Sequence, residues 1–353
     1  AAKILVDRMQ ELIEKTGENG FHFVDEAAPP ALMREVALEI LRRKLVVTWW
    51  TNIRFEKSFT RDLCFLLKLS GCVAVSGGLE VASDRLLKLI NKGVSVSQVA
   101  KVTRNFTEAG IMVHSYLMYG YPTQTEQETI DSLEMVRQMF EMGILQSGFW
   151  HQFAMTAHSP IGKNPEEFGV IPHLKEITFA NNDVEFQDKT GIDHSKFSFG
   201  LKKSLFNYMH GICFENPLQE WFEYKIPKTT IHPDYIHDCL LEEDHFSTKP
   251  NAKIIWAGAK PLVEFFTKSK KGNSWEMAKL IFHEKTNVFS INLEKEKAVW
   301  LLETIDEISI YAHKNLTFNQ LKAKYELDFD DFELFWYSKP MQILKENGVI
   351  LTL

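Results

Sequence analysis

No apolar run in this 353-residue sequence approaches the ~20 residues that a membrane-spanning helix needs. No signal-peptide pattern opens it either. Cysteine is scarce. Cys64, Cys72, Cys213 and Cys239 are scattered, with no CxxC, CxxxC or Cys/His ligand spacing among them. That argues against a local metal knuckle and for reduced, mostly buried thiols in a cytosolic protein. An excess of positive charge is lacking too. The formal net charge of −7 speaks against a nucleic-acid partner, because a phosphate-binding surface is basic. Internal repeats and low-complexity tracts are absent. What remains is an ordinary globular composition, 45% hydrophobic and 25% charged, with enough chain for a sizeable core and two or three domains.

The spacing of apolar residues predicts an amphipathic helix over 3–17, with Ile4, Leu5, Met9, Leu12 and Ile13 on one side and a glycine stop. A strand FHFV (21–24) follows. Then come a helix over 31–43, a strand LVVTWW (45–50), and a helix over 58–69 with Ser58 as its cap. Next are a strand CVAVSGG (72–78), helices over 83–91 and 95–109 (Ser95 as the second cap), and a strand over 111–120. A long helix over 124–142 and a strand over 147–156 complete the series. Strands alternating with helices in this way make βαβ units and a parallel sheet. Five strands precede residue 157. Each ends in polar or glycine residues, where parallel α/β folds place their sites.

Past residue 160 the rhythm breaks. Residues 160–200 read as loop, 200–246 as helical and aromatic, and 252–312 as poor in both patterns. The tail reads as a helix over Thr317–Tyr325 capped by Thr317, a helix over Asp330–Asn347, then Gly348 and a short strand. That outline suits a winged-helix-like unit. Its acidic face (Glu326, Asp328, Asp330, Asp331, Glu333) repels phosphates, so it reads as a packing or interaction unit.

Five stretches, in order, resemble the radical S-adenosylmethionine (SAM) superfamily, in particular members with a cobalamin-binding domain upstream. They are FHFVDEA, WWTNIRFEK, SGCVAVSGGLEVASDRLLKLINKG, AGIMVHSYLMYGYPTQTEQE with its G-x-P-x-x-T turn, and QFAMTAHSPIGKNPEEFGV. They cover residues 1 to about 170 and match the second to sixth strands of that family's barrel. The resemblance implies a partial TIM-like (β/α) barrel over 1–170. A mostly helical accessory or substrate region over 171–312 and a winged-helix-like unit over 313–353 follow it. The family's CxxxCxxC loop, which follows its first strand and holds a [4Fe-4S] cluster, is not in this sequence. The expectation is therefore the carboxyl-terminal part of a larger enzyme, cut just past the cluster loop and inactive alone. The parent would cleave SAM for radical or methyl-transfer chemistry, with a [4Fe-4S] cluster and cobalamin as further cofactors and a substrate the sequence does not name.

The resemblance also implies site residues, some with a bland counterpart. Asp25 and Glu26 suit the SAM ammonium, or else serve as first-turn acids of the next helix. Gly77 and Gly78 let backbone approach a ligand, or only make a tight turn. Glu80 is a polar SAM contact. Lys92 pairs with the SAM carboxylate, or is a routine helix-end cation. Arg54 meets carboxylate or substrate. Gly120 and Pro122 shape the adenine wall through backbone. His158 and Ser159 lie on the substrate side. Trp49, Trp50, Phe149, Trp150, Phe206, Tyr208, Trp221 and Phe222 read as core rather than a flat-ligand pocket.

Two other classes compete: a cluster-free relative acting as a binding or scaffold module, and an unrelated aldolase-like barrel with Lys92 as a Schiff base. The gene upstream separates the first of these from the leading reading. A partial barrel would also leave strand 21–24 as a bare edge, through which two chains could pair as a homodimer.

Overall fold

In a computed structural model, residues 1–173, 182–241, 249–270, 272–283, 287–312 and 315–352 are described. The first half is a run of βα units. Helix α1 (Ala2–Thr16) ends where Gly17 adopts φ 76°, a left-handed stop that glycine takes without strain. It leads to β1 (Gly20–Phe23), α2 (Pro30–Arg42), β2 (Thr48–Ile53), α3 (Arg61–Leu69), β3 (Cys72–Glu80), α4 (Asp84–Leu89) and α5 (Val96–Glu108). Then come β4 (Met112–Tyr119), α6 (Glu126–Glu141) and β5 (Ser147–Gln152). The five strands form one parallel sheet in the order β1-β2-β3-β4-β5, so the partial-barrel expectation holds. β1 is its edge, and α1 packs on α2.

Two details differ from expectation. Thr60, not Ser58, caps α3, its Oγ1 accepting from the Leu63 N–H at 3.3 Å. The second strand starts at Thr48 rather than Leu45, because the Leu45 N–H still bonds the Ile40 carbonyl at 3.1 Å and pairing with β1 begins only at Thr48. Ser95 does cap α5.

Alternation splits the aromatic pairs. Trp49, Val75, Val113, Leu117 and Trp150 face the helices and are buried. Trp50 and Phe149 face the other way and are 39% and 54% exposed. The core reading is therefore overturned for Trp50 and Phe149, and also for Phe206, which is 59% exposed. It holds for Trp49, Trp150, Tyr208, Trp221 and Phe222. On the open face, His22 stacks on Trp50 with centroids 4.0 Å apart, and the Trp50 indole donates to Ser76 Oγ at 3.1 Å. His114 Nδ1 lies 2.8 Å from Ser147 Oγ, and burial lowers the imidazole's pKa.

Beyond β5 come α7 (Pro160–Lys163), a hairpin of β6 (Val170–Pro172) and β7 (Phe186–Asp188), α8 (Ser198–Met209) and α9 (Tyr235–Leu241). The helical reading of 242–246 falls outside the described residues. The stretch 252–312 is not poor in structure. It holds β8 (Lys253–Trp256), an antiparallel sheet of β9 (Leu262–Lys270), β10 (Asn273–His283) and β11 (Val288–Glu294), and α10 (Lys295–Ile308). The alternation was there in Ala278, Leu280 and Phe282, all buried, but exposed aromatics on β9 blurred it.

The tail is α11 (Phe318–Tyr325), α12 (Phe332–Trp336), α13 (Lys339–Asn347) and β12 (Val349–Thr352). Thr317 and Gln320 form a capping box on α11. The expected single helix over 330–347 is broken, because Ser338 caps a new helix with Pro340 in its first turn. β12 pairs antiparallel with β8. Ile254, Trp256, Trp300, Tyr325, Trp336 and Val349 share one core, so packing runs across residue 313.

The tail is tied to the barrel by the Leu351 N–H donating to Asp62 Oδ2 at 2.7 Å. Beside it, Lys345 Nζ donates to the Trp336 carbonyl at 2.7 Å and lies 4.1 Å from that ring's centroid. Burial pushes the Lys345 pKa down to about 8 from 10.5, against the pull of Asp62. Between these two values the unfolded chain holds a proton that the folded one has lost. Stability should therefore rise with pH through this window, by about 2–3 kcal/mol. Lys345→Met should remove that slope and stabilise the protein at pH 7. Urea melts at pH 7, 8, 9 and 10 test this, and an unchanged slope in the variant refutes it.

Candidate functional site

The carboxyl ends of β2 and β3 bring three of the expected residues together. β3 bulges between Gly78 and Glu80, and Glu80 takes φ 61°, an uncommon left-handed conformation for a side-chain-bearing residue. This turns its carboxylate back over Gly78. Lys92, just past α4, reaches it with Nζ 2.7 Å from Oε1. The Arg54 guanidinium, at the end of β2, donates to the Lys92 carbonyl at 2.7 Å. A Cβ on Gly78 would overlap Glu80 Oε1 and stand 2.8 Å from Lys92 Nζ. A side chain there would push the flexible ends of Glu80 and Lys92 away from the strand, so glycine lets the ion pair lie flat on it. Gly77 has a different reason. Its missing side chain is replaced by the buried Phe55 ring, which a Cβ would meet at 2.6–2.9 Å.

Asp25 and Glu26 follow β1, both exposed, and neither carboxylate has a partner among the described residues. The Asp25 carbonyl accepts from Asn52 Nδ2 at 3.2 Å, and Asn52 Oδ1 is buried without a hydrogen bond. The β4 turn is held by Gln124, whose Oε1 accepts from the Gly120 and Tyr121 N–H groups at 2.7 and 3.1 Å. Pro122 sits in this turn. His158 is exposed. The Ser159 hydroxyl is engaged locally, donating to the Thr156 carbonyl and accepting from Gly162 N as the α7 cap.

A cleft of about 540 Å³ opens over the ends of β4 and β5, walled by the β6–β7 hairpin and residues 191–194. Sequence reasoning missed it, because most of its walls come from residues 173 and 183–194, which carry no motif. His194 lies in one wall.

The thiols do not form a cluster site. Burial raises Cys64 well above the usual thiol range and pushes Cys72 up to about 12. No group of metal-holding side chains occurs among the described residues, and no helix among them is long and apolar enough to cross a membrane.

Comparison with known proteins adds a family. Residues 5–136 match the Radical SAM superfamily. An uncharacterized methyltransferase of Pyrococcus horikoshii is 24% identical over 105 residues, 30% of this chain and 23% of its own length. An anaerobic magnesium-protoporphyrin IX monomethyl ester cyclase of Rubrivivax gelatinosus is 26% identical over 141 residues, 38% of this chain and 25% of its own. The chain thus spans about a quarter of the length of these curated relatives. Among solved structures, the radical SAM methyltransferase TsrM from Kitasatospora setae, with tryptophan substrate and a SAM analogue bound, overlaps 58% of this chain and 46% of its own at 16% identity and a TM-score of 0.46. Residues 5–136, running from α1 into α6 through the first four strands of the sheet, are a domain of the radical SAM superfamily.

Proposed function

We propose that the strand ends of this chain bind S-adenosylmethionine as part of a radical SAM enzyme. The observation that carries this reading is the Glu80–Lys92–Arg54 group laid over Gly78, a cradle that any Cβ would fill. Lys92 would meet the SAM carboxylate, and Glu80 with the unpartnered Asp25 and Glu26 its ammonium. The orphaned Asn52 Oδ1 offers a further acceptor. Gly120 and Pro122 bring backbone to the adenine. When bound, SAM supplies a sulfonium carbon for reductive cleavage or methyl transfer. On this reading the [4Fe-4S] ligands, and any cobalamin domain, lie outside these 353 residues, because the thiols present do not fit a cluster. The chain alone is then inactive. Its setting is the cytoplasm, where such thiols stay reduced. A Schiff-base role is not supported, because Lys92 Nζ is engaged by Glu80.

Calorimetry tests the reading. SAM should bind this chain weakly, and Lys92→Met and Glu80→Gln should each weaken it at least tenfold. Wild-type affinity in both variants, or no binding by the chain, counts against it. Incubation with iron and sulfide under reducing conditions should leave less than one cluster per chain, and a stoichiometric cluster chromophore would sink the cluster-outside part.

A further inference from the structure

The antiparallel sheet of the second half has the order β11-β10-β9, and its β9 edge is open. α13 lies against β11, whereas β9 pairs with β10 along all nine of its residues, without a register shift, and shows its other edge to water. Every β9 residue except Val263 is exposed, Phe265 to 57% and Phe266 to 41%. Alternate residues of such a strand turn their N–H and C=O groups away from the one neighbour they have. Proteins usually keep an edge of this kind short, bulged, covered or broken by proline, because another strand can add to it. β9 has none of these devices. It carries charge instead, on Glu264, Lys268 and Lys270. Neither Glu264 nor Lys268 forms an ion pair among the described residues.

The order of these residues selects the partner. When a strand pairs antiparallel with a second copy of itself about a two-fold axis, each residue meets the one equally far beyond the axis. The register that uses all of β9 has its axis at Phe266. It sets Glu264 of each copy opposite Lys268 of the other, and the two charge pairs flank a Phe266–Phe266 contact on the same face. Leu262 meets the aliphatic stem of Lys270 there. On the opposite face, Val263 meets Ser269 and Phe265 meets Thr267. Moving the axis by two residues sets Glu264 against Glu264 or Lys268 against Lys268, which repel. Moving it by one shortens the ladder. A uniformly acidic strand would meet Glu264 and a uniformly basic one would meet both lysines, whereas the reversed sequence of β9 itself matches Glu264 and Lys268 together.

We propose that two copies of this chain associate through β9, joining their three-stranded sheets into one continuous sheet about a two-fold axis at Phe266. The contact uses the same edge of both copies, so it closes at two chains and does not grow into a fibre. β1 is an edge as well, but with four residues it offers a shorter ladder. No residue of the Glu80–Lys92–Arg54 group takes part, so the association does not rest on the SAM reading.

Sedimentation velocity of the 353-residue chain tests it. Between about 1 and 100 μM, the range in which a small interface saturates, the mass should rise from one chain toward two. Glu264→Lys sets lysine against Lys268, and Lys268→Glu sets glutamate against Glu264. Each should weaken association about tenfold or more. The double variant, Glu264→Lys with Lys268→Glu, restores opposite charges across the axis and should associate as the wild type does. Both side chains are exposed, so the three variants should melt close to the wild type. A chain that stays monomeric throughout, single variants that associate like the wild type, a double variant that stays apart, or growth beyond two chains would each overturn the proposal.

Discussion

Replacing Arg137 by alanine should cost about 3–5 kcal/mol, one of the largest single-site losses in the molecule. The guanidinium is 12% exposed and grips Glu134, itself 8% exposed, through two bonds of 2.8 and 2.9 Å. It also reaches Glu141 at 2.8 Å and donates to the Phe214 carbonyl at 2.9 Å, which ties α6 to the segment after α8. Removing it leaves the Glu134 carboxylate buried, with Gln138 as its remaining donor. The cost thus arises mainly from the stranded partner rather than from the lost attraction. Arg137→Met with Glu134→Leu should therefore cost less than half as much as Arg137→Ala. Urea melts of the two variants decide it. A double variant as damaged as the single would mean that the bond to Phe214, not the charge, holds this region.

The second large effect separates two neighbours. Trp49→Ala should lose about 3–5 kcal/mol, and Trp50→Ala about 1 kcal/mol. Trp49 is 1% exposed, meets Phe23 edge to face, and donates from its indole to the Ser70 carbonyl at 3.1 Å. Trp50 stands on the open face with the His22 stack and the Ser76 bond as its main contacts. Denaturant midpoints of the two single variants test this. Equal losses would show that the open face is packed as tightly as the covered one.

The same pair shows what could be read from sequence. Strand existence and order were legible, because each of the first four strands is followed by an amphipathic helix and all five by a polar or glycine end. Which of two adjacent tryptophans is buried was not. A one-residue shift in the start of β2 inverts the answer, and only neighbouring strands fix the register. Glu80, Lys92 and Arg54 were legible one by one through the family pattern. Their mutual contact was not, because it depends on the bulge after Gly78 and the backbone of Glu80. The reasons for the glycines differed as well, since Gly77 answers to Phe55 and Gly78 to an ion pair. His194 was invisible: it meets Gly120 across 74 residues of sequence, with no periodicity linking them. The β9–β11 sheet was lost because β9 is exposed along almost its whole length and shows no buried stripe.

The tie between Leu351 and Asp62 bears on the order in which the molecule is made. Each strand of the first sheet pairs with the one synthesised just before it, so the sheet can grow as the chain leaves the ribosome, one unit at a time. Asp62 cannot be finished that way. Its carboxylate is half-buried, desolvation raises its pKa, and the amide that bonds it lies 289 residues later. Until β12 arrives, α3 keeps a carboxylate in contact with water that the folded chain partly covers. β12 thus closes over α3, and a ribosome-bound chain that stops before Leu351 should hold a sheet already paired and a third helix still exposed at Asp62.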